Sequence, residues 1–214
     1  MTHAEIDKFL RMLCGHTLGH YETLRATYDI AAALIANGVP GDFVECGVYA
    51  GGQCAAMALA IINNDKNAGK HQPFEYSSDR RVHLFDSFQG MPRCGPEDSE
   101  FIAAGKQPGE SACSLEGVQA NMRMWGIPDE LLMWHPGWFA ETAPHFGKYH
   151  DAPIALLRLD GDLYESTKVC LEHLYPRLVR GGACIVDDYP LTGCRKALHE
   201  VVGYPQPVAW WKSI

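Results

Sequence analysis

The sequence lacks an excess of positive charge, a long apolar run and a signal peptide, and each absence excludes a class of protein. Its 214 residues include 18 Lys and Arg against 26 Asp and Glu, a formal charge of −8. This balance argues against a nucleic-acid partner. No apolar stretch approaches the roughly 20 residues that a membrane span requires, and the N-terminus has no apolar signal core. We therefore expect neither nucleic acid nor membrane as a partner.

The sequence also lacks paired cysteine motifs. None of its eight cysteines forms a CxxC pair or has the histidine spacing of a zinc site. Several lie within apolar runs, as reduced cysteines of cytosolic proteins commonly do. We expect unpaired, mostly buried thiols and a cytoplasmic location. The cysteines are Cys14, Cys46, Cys54, Cys94, Cys113, Cys170, Cys184 and Cys194.

The length and the 47% hydrophobic content favour one domain with a substantial core. Residues 1–40 are expected to form one or two helices packed on that core, and residues 41–214 the main domain. From residue 42, short apolar runs alternate with helix-period segments, which is typical of an α/β fold with a parallel sheet. Predicted strands are 42–46, 81–86, 131–137, 154–160 and 183–188, with a possible edge strand at 207–211. Predicted helices are 53–64, 114–126, 166–182 and 193–202, and Pro176 predicts a kink or an early end in the third of them.

Residues 87–113 are rich in Gly and Pro and predict a long loop with at most short helical pieces. Loops of this length inside a domain are usually functional. Phe88 and Met91, at its start, are candidate lid residues over a ligand.

A glycine turn follows the first predicted strand in the segment VECGVYAGG. Ligands of open parallel sheets bind at such turns, where glycine allows close approach of the backbone. The spacing of Gly47, Gly51 and Gly52 is not GxGxxG, which weakens a nicotinamide or flavin interpretation. Glu45, before the turn, is suited to an ammonium group and unsuited to phosphate. A tight turn without a ligand remains the alternative.

Asp86 ends the second predicted strand. A carboxylate there can accept both hydroxyls of a ribose. The alternative is a capping or loop carboxylate.

Two pairs of aspartates follow the fourth and fifth predicted strands: Asp160 with Asp162, and Asp187 with Asp188. Neighbouring parallel strands bring their ends together, so the four carboxylates are expected to converge. Such a cluster repels itself unless some members are protonated or a cation binds. Oxygen ligands favour magnesium, manganese or calcium over zinc. Solvated strand caps are the alternative.

Six segments carry a resemblance to a known family. In chain order they are GDFVECGVYAGG, LFDSFQGMP, SLEGVQANMRMWG, GWFAETAP, LLRLDGDLYEST and GGACIVDDYP. They resemble the macrocin O-methyltransferase family over about residues 24 to 202. The resemblance implies a Rossmann-like class I methyltransferase fold, mostly parallel with helices on both faces. It also implies S-adenosylmethionine as the methyl donor and a divalent metal, Mg²⁺ or Mn²⁺.

The resemblance also implies residue roles. Asp160, Asp187 and Asp188 correspond to metal ligands and Asp162 to the general base. The cofactor residues are Glu45, Gly47, Gly51, Asp86, Ser87, Trp138 and Asp160. The loop 87–113 and the short N-terminal region depart from the family where it selects its acceptor, so the acceptor is not implied.

The residue types suit this chemistry independently of the resemblance. An alcohol is a poor nucleophile, and a metal that chelates two adjacent hydroxyls would lower the pKa of one of them. Asp162 would then take the proton. We expect a small-molecule hydroxyl acceptor, a sugar or another vicinal diol. The alternatives are a metal-dependent hydrolase or phosphotransfer enzyme and a non-catalytic cofactor-binding protein. Glu45 counts against the first, and the four aspartates count against the second.

Other candidates are weaker. His16, His20, His135 and His145 are more often structural than catalytic, and Trp134, Trp210 and Trp211 are more often packing residues. Tyr164 and Tyr189 follow acidic residues and either line an acceptor site or pack. The aromatic C-terminus suggests subunit contacts, hence a possible homo-oligomer.

Overall fold

The computed structural model describes residues 1–64, 80–149 and 153–203. Its strands are β1 (Asp42–Cys46), β2 (Val82–Asp86), β3 (Leu132–Pro136), β4 (Ile154–Leu159) and β5 (Leu178–Val186). Its helices are α1 (His3–Leu13), α2 (Tyr21–Ala36), α3 (Gly52–Asn64), α4 (Ser99–Ala103), α5 (Leu115–Met124), α6 (Phe139–Tyr149), α7 (Tyr164–Leu174) and α8 (Thr192–Val201).

The strands form one parallel sheet in the order β3-β2-β1-β4-β5. The chain runs outward from β1 to β3 and then returns to β4, on the other side of β1. This reversal places a topological switch point between β1 and β4, where ligands of open α/β sheets bind. The predicted parallel α/β fold is therefore confirmed.

Both faces of the sheet are covered, which explains why its strands are apolar without strict alternation. On one face, Phe43, Leu84 and Leu156 pack with residues of α1, α2 and α3. On the other face, Val44 and Leu157 pack with residues of α6, α7 and α8. The predicted N-terminal helices are present and lie in the first of these layers. Among the described residues, no helix is long and apolar enough to cross a membrane.

Two predictions about secondary structure need correction. The helix predicted over 166–182 has the early end that Pro176 allowed: it ends at Leu174, and Gly181 and Gly182 lie in β5, which begins at Leu178, and not at a helix stop. Gly182 lies in this strand, where a side chain would crowd the carbonyl oxygen of Ala155. No element was predicted for α6, whose interior Pro144 breaks the usual helix pattern. The possible edge strand at 207–211 lies outside the described residues.

The loop 87–113 is tied to two helix N-termini. The buried carboxylate of Asp98 accepts hydrogen bonds from the amides of Gly95 and Tyr164, both at 2.8 Å, and Tyr164 is the first residue of α7. The carboxylate of Glu100 accepts from the amide and the hydroxyl of Thr192, at the start of α8. These contacts use amides that a helix leaves without internal partners. They hold the loop against the edge of the sheet where the strands end.

Candidate active site

A cavity of about 290 Å³ lies at the carboxyl ends of β1, β2 and β4. Most of the predicted cofactor residues line it: Glu45, Gly47, Asp86, Ser87, Trp138 and Asp160, together with the predicted base Asp162. Gly51 is not among the lining residues. A side chain at Gly51 would instead meet Met122 and Val118 of α5, so this glycine has a packing explanation.

The glycine turn forms the floor of the cavity. The amide of Gly47 donates to the carbonyl of Phe85 at 2.9 Å, and the amide of Asp160 donates to the carbonyl of Cys46 at 2.8 Å. A side chain at Gly47 would overlap the carbonyl oxygen of Asp160. Only glycine therefore allows the ends of β1 and β4 to meet, and the turn is fixed at the switch point.

Asp86 organises this turn from the neighbouring strand. Its Oδ2 accepts hydrogen bonds from the amides of Val48 (2.7 Å) and Tyr49 (3.3 Å), and its Oδ1 accepts from the amide of Phe88 at 2.7 Å. Burial nevertheless raises the pKa of Asp86, while the three amides oppose the increase. Each carboxylate oxygen has two lone pairs, so Oδ1 keeps the capacity to accept one more hydrogen bond. Ribose binding by Asp86 remains a prediction.

Arg158 is the main component of the site that the sequence analysis missed. Its side chain is 1% exposed and makes three ion pairs, to Glu45 (2.7 Å), Asp160 (2.7 Å) and Asp187 (2.6 Å). Arg158 and Glu45 are directly opposite each other on β4 and β1. Burial alone would lower the pKa of the guanidinium, but Asp160, Asp187 and Glu45 hold it well above its ordinary value. Arg158 therefore connects the glycine turn to the aspartate cluster.

Glu45 is almost fully enclosed. Its Oε1 accepts from Arg158, and its Oε2 accepts from the thiol of Cys54 at 2.6 Å. Burial raises its pKa to about 7, while Arg158 opposes the increase. Glu45 is thus a partner of the protein itself as well as part of the cavity wall.

Three of the four predicted aspartates converge. One carboxylate oxygen from each of Asp160, Asp187 and Asp188 lies within 4.8 Å of the other two. Asp188 also accepts a hydrogen bond from the amide of Asp162 at 2.8 Å. Burial and the neighbouring carboxylates raise the pKa of Asp187 and raise that of Asp188 well above its ordinary value. Arg158 does not neutralise the cluster, which keeps an excess of negative charge.

Asp162 projects from a strained backbone between β4 and α7. Its φ is 61°, in the left-handed region, where Asp and Asn are the best tolerated residues after Gly. Burial, followed by repulsion from Asp160 and Asp187, raises its pKa to about 7. Tyr49, Phe88 and Ser111 are the other described non-glycine residues with positive φ. Tyr49, Ser111 and Asp162 line the cavity, and Phe88 is adjacent to a lining residue. Such strain is commonly concentrated at functional sites.

The weaker candidates divide between the cavity and the rest of the protein. Met91 lines the cavity, whereas Phe88 lies near Trp134, with ring centroids 6.2 Å apart. His135 stacks on Phe85 with ring centroids 4.0 Å apart, and the hydroxyl of Tyr164 donates to Glu200 at 2.6 Å. These last contacts are structural. Trp210 and Trp211 lie outside the described residues.

Sequence reasoning missed Gln53 and Tyr49 as well as Arg158. Arg158 stood out as a charged residue inside an otherwise apolar strand, and buried arginines are almost always paired. That signal would have found it. Gln53, beside the glycine turn, differs from its apolar neighbours in α3, but its orientation depends on α2 and is invisible in the sequence.

Comparisons with known proteins identify relatives of this chain. The family model of macrocin-O-methyltransferase matches residues 11–203. The 8-demethyl-8-(2,3-dimethoxy-alpha-L-rhamnosyl)-tetracenomycin-C 4'-O-methyltransferase of Streptomyces olivaceus is 38% identical, over 88% of this chain and 68% of the relative. Mycinamicin III 3''-O-methyltransferase of Micromonospora griseorubida is 35% identical, over 87% of this chain and 70% of the relative. Demethyldecarbamoylnovobiocin O-methyltransferase of Streptomyces niveus is 37% identical, over 87% of this chain and 67% of the relative.

Solved structures give the same fold. The O-methyltransferase NovP superposes with a TM-score of 0.78 and 31% identity, covering 92% of this chain and 88% of that one. A calicheamicin methyltransferase superposes with a TM-score of 0.68 at 20% identity, covering 99% and 90% of the two chains. The predicted methyltransferase fold is confirmed.

Proposed function

This chain belongs to the macrocin-O-methyltransferase family, and from that premise we propose that it transfers a methyl group from S-adenosylmethionine to a hydroxyl of a small natural product. The acceptor hydroxyl belongs to a sugar or another vicinal diol, and a divalent cation, Mg²⁺ or Mn²⁺, assists. The observation that carries the proposal is the convergence of Asp160, Asp187 and Asp188, because Asp160 also lines the cavity of the glycine turn together with Asp162.

The aspartate cluster fits a hard divalent cation. Its donors are all carboxylate oxygens, which Mg²⁺ and Mn²⁺ prefer. Arg158 engages Oδ2 of Asp160 and Oδ1 of Asp187, and the amide of Asp162 engages Oδ2 of Asp188, so each ligand keeps its other oxygen. Burial, together with the neighbouring carboxylates, raises the pKa values of Asp187 and Asp188, and a bound cation would oppose this increase. When bound, the cation supplies a Lewis acid that lowers the pKa of the acceptor hydroxyl.

The residues of the chain complete the reaction. Asp162 takes the proton from the acceptor hydroxyl as the oxygen attacks the methyl group. Glu45 and the turn at Gly47 position S-adenosylmethionine. Asp86 accepts hydrogen bonds from its ribose hydroxyls, and Trp138 lies against its adenine ring. The carboxylates attract the positively charged sulfonium of the donor. They have less affinity for the product, S-adenosylhomocysteine, whose sulfur is neutral.

The charge of the cavity restricts the acceptor. The described lining residues include five carboxylates, from Glu45, Asp86, Asp160, Asp162 and Glu165, and no Lys, Arg or His. A diphosphate group would be repelled there, so we propose an uncharged glycoside or polyol as the acceptor. The same repulsion disfavours the phosphotransfer alternative. A TDP-rhamnose 3'-O-methyltransferase of calicheamicin biosynthesis shares the fold at 21% identity. We do not propose a nucleotide sugar as the acceptor of this chain.

A thermal-shift titration and an activity assay test this function. S-adenosylmethionine should raise the melting temperature, and Mg²⁺ should raise it further. Asp187→Asn should lose metal-dependent methyl transfer to neutral rhamnosides, followed by mass spectrometry, and keep its affinity for S-adenosylhomocysteine. Asp129→Asn, at an exposed acid far from the cluster in sequence, is the matched control. Absence of stabilisation by S-adenosylmethionine, with and without Mg²⁺, would reject the proposal.

Two further expectations accompany this function. All eight cysteines are free thiols in the structure, which suits a reducing cytoplasm. A homo-oligomer remains a proposal, which light scattering of the purified protein would test.

A further inference from the structure

Gln53 carries an unexplained feature in the wall of the cavity. It is the second residue of α3, is 3% exposed and lines the cavity. Its Nε2 donates to the hydroxyl of Thr23, in α2, at 3.1 Å. Its Oε1 has no donor among the described residues. A buried carbonyl oxygen without a partner is unfavourable, and native proteins rarely retain one without a reason.

The orientation of this amide is fixed by its neighbour. The hydroxyl of Thr23 donates its single proton to the carbonyl of His20 at 2.8 Å, so toward Gln53 it can only accept. The NH₂ group of Gln53 must therefore face Thr23, and exchange of the amide oxygen and nitrogen would lose this bond. Gly19 permits the arrangement, since a side chain there would collide with the hydroxyl of Thr23.

We propose that Oε1 of Gln53 accepts a hydrogen bond from the ammonium group of the methyl donor. The inference rests on the proposed function, because it needs S-adenosylmethionine in this cavity. A ligand group that pairs with Oε1 of Gln53 must donate a hydrogen bond. S-adenosylmethionine has three sets of hydrogen-bond donors: the ribose hydroxyls, the adenine amino group and the ammonium.

The first two sets belong to other walls of the cavity. Asp86, on β2, is placed for the ribose, and the aromatic side chains of Trp138 and Phe139 suit the adenine ring by stacking. The methyl group must point toward Asp162. This leaves the amino-acid part of the methyl donor for the wall formed by Glu45 and Gln53. Cys54, which follows Gln53 in the chain, links these residues because its thiol donates a hydrogen bond to Glu45. Both Glu45 and Gln53 present oxygen acceptors to the cavity, and its described lining residues include no Lys, Arg or His, which suits an ammonium group.

This arrangement assigns a role to the N-terminal helices. Gln53 belongs to the main domain, but its amide is held by Thr23 and His20 at the start of α2. The N-terminal region therefore positions a group that binds the donor, as well as covering the sheet.

Calorimetric binding of three probes to the full chain tests the inference. The probes are S-adenosylhomocysteine, its deaminated analogue, and 5'-methylthioadenosine, which lacks the amino-acid part. Gln53→Met keeps the size of the side chain and removes the acceptor. We expect it to weaken S-adenosylhomocysteine about tenfold, as for a hydrogen bond to a charged group, and to change the other two by less than about twofold.

A second variant protects the test against a folding defect. Thr23→Val removes the partner of the Gln53 amide but keeps the amide itself. We therefore expect it to weaken the binding of S-adenosylhomocysteine about threefold and to leave the other two probes unchanged. Thr23→Ser keeps the hydroxyl and should retain the wild-type affinity. Equal weakening of all three probes by Gln53→Met, or no weakening, would overturn the inference. Decarboxylated S-adenosylhomocysteine keeps the ammonium group, so Gln53→Met should weaken its binding as well. If Gln53→Met does not weaken this analogue, the carboxylate is the partner of Gln53 and the inference is overturned. If the wild-type chain does not bind S-adenosylhomocysteine, the proposed function fails first and the inference with it.

Discussion

Two clusters of buried polar side chains lie in the same sheet and differ in how well they are satisfied. At the start of β1 and within β2, both ring nitrogens of His83 have partners at 2.9 Å, Nδ1 with His135 and Nε2 with Asp42. The other oxygen of Asp42 accepts from the amide of Arg81. At the opposite end of the strands, the second cluster contains Arg158 and the aspartates around it. Arg158 pairs with Glu45, Asp160 and Asp187, and one guanidinium cannot balance three carboxylates. A satisfied network stabilises a fold, whereas an unbalanced one has residual charge for a ligand.

The largest effect should come from the base in the unbalanced cluster. Asp162→Asn preserves a residue type that tolerates the φ of 61° but cannot take a proton. We expect kcat to fall by about 10²–10⁴-fold, the usual contribution of general acid–base catalysis. The Kd of S-adenosylhomocysteine should stay within about twofold of wild type. An unchanged kcat would assign the proton to another group.

Removal of the Arg158 guanidinium should destabilise the cluster of carboxylates around it. Arg158→Met leaves Glu45, Asp160 and Asp187 buried without their counter-ion, so the free energy of unfolding should fall by about 3–5 kcal/mol. Mg²⁺ should restore stability more in this variant than in wild type, measured by urea unfolding with EDTA or Mg²⁺. Arg158→Lys, which retains the charge, is the control and should depend less on Mg²⁺. An equal response of all three proteins to Mg²⁺ would show that Arg158 does not balance the metal ligands.

The satisfied cluster should respond only in stability. His83→Leu removes the ring nitrogens that face Oδ2 of Asp42 and Nε2 of His135, which should lower the free energy of unfolding by about 1–3 kcal/mol. Activity per folded molecule should be unchanged, and Mg²⁺ should not rescue the loss. A changed Kd for S-adenosylhomocysteine would mean that the two clusters are coupled through the sheet.

The last prediction concerns pH in the metal-free protein. The pKa of Asp162 rises on folding from an ordinary value near 4 to about 7, so the folded state binds this proton more tightly than the unfolded state. The stabilisation is complete below the unfolded pKa and is lost as the pH rises through the folded pKa. Between about pH 4 and 7, the urea midpoint of wild type should therefore fall relative to that of Asp162→Asn. Mg²⁺ should reduce the difference, and an identical slope in both proteins would contradict the shift.

The sequence was sufficient for the strand ends but not for the contacts between distant side chains. Asp160, Asp187 and Asp188 could be placed together because parallel strands align their carboxyl ends, and Gly47 because a strand-to-helix turn needs close approach. Gln53 could not be found, since its orientation depends on Thr23, 30 positions away in sequence. Arg158 is recognisable as a charge inside an apolar strand, but its pairing with Glu45 and Asp187 depends on how the neighbouring strands align. The double glycine at 181 and 182 predicts a helix end, because glycine is common at helix stops, but glycine also suits a crowded position in a strand such as β5.

The anchoring of the loop 87–113 has a consequence for engineering. The amide of Gly109 donates to the carbonyl of Met91 at 2.9 Å, and Asp98 and Glu100 attach the loop to α7 and α8. These fixed points delimit a short cassette, residues 101–108, whose ends are set by contacts outside it. Libraries confined to that cassette, with Asp98 and Glu100 retained, should leave the fold and the donor site intact, and a change in the acceptors that are methylated would show that the loop takes part in acceptor selection.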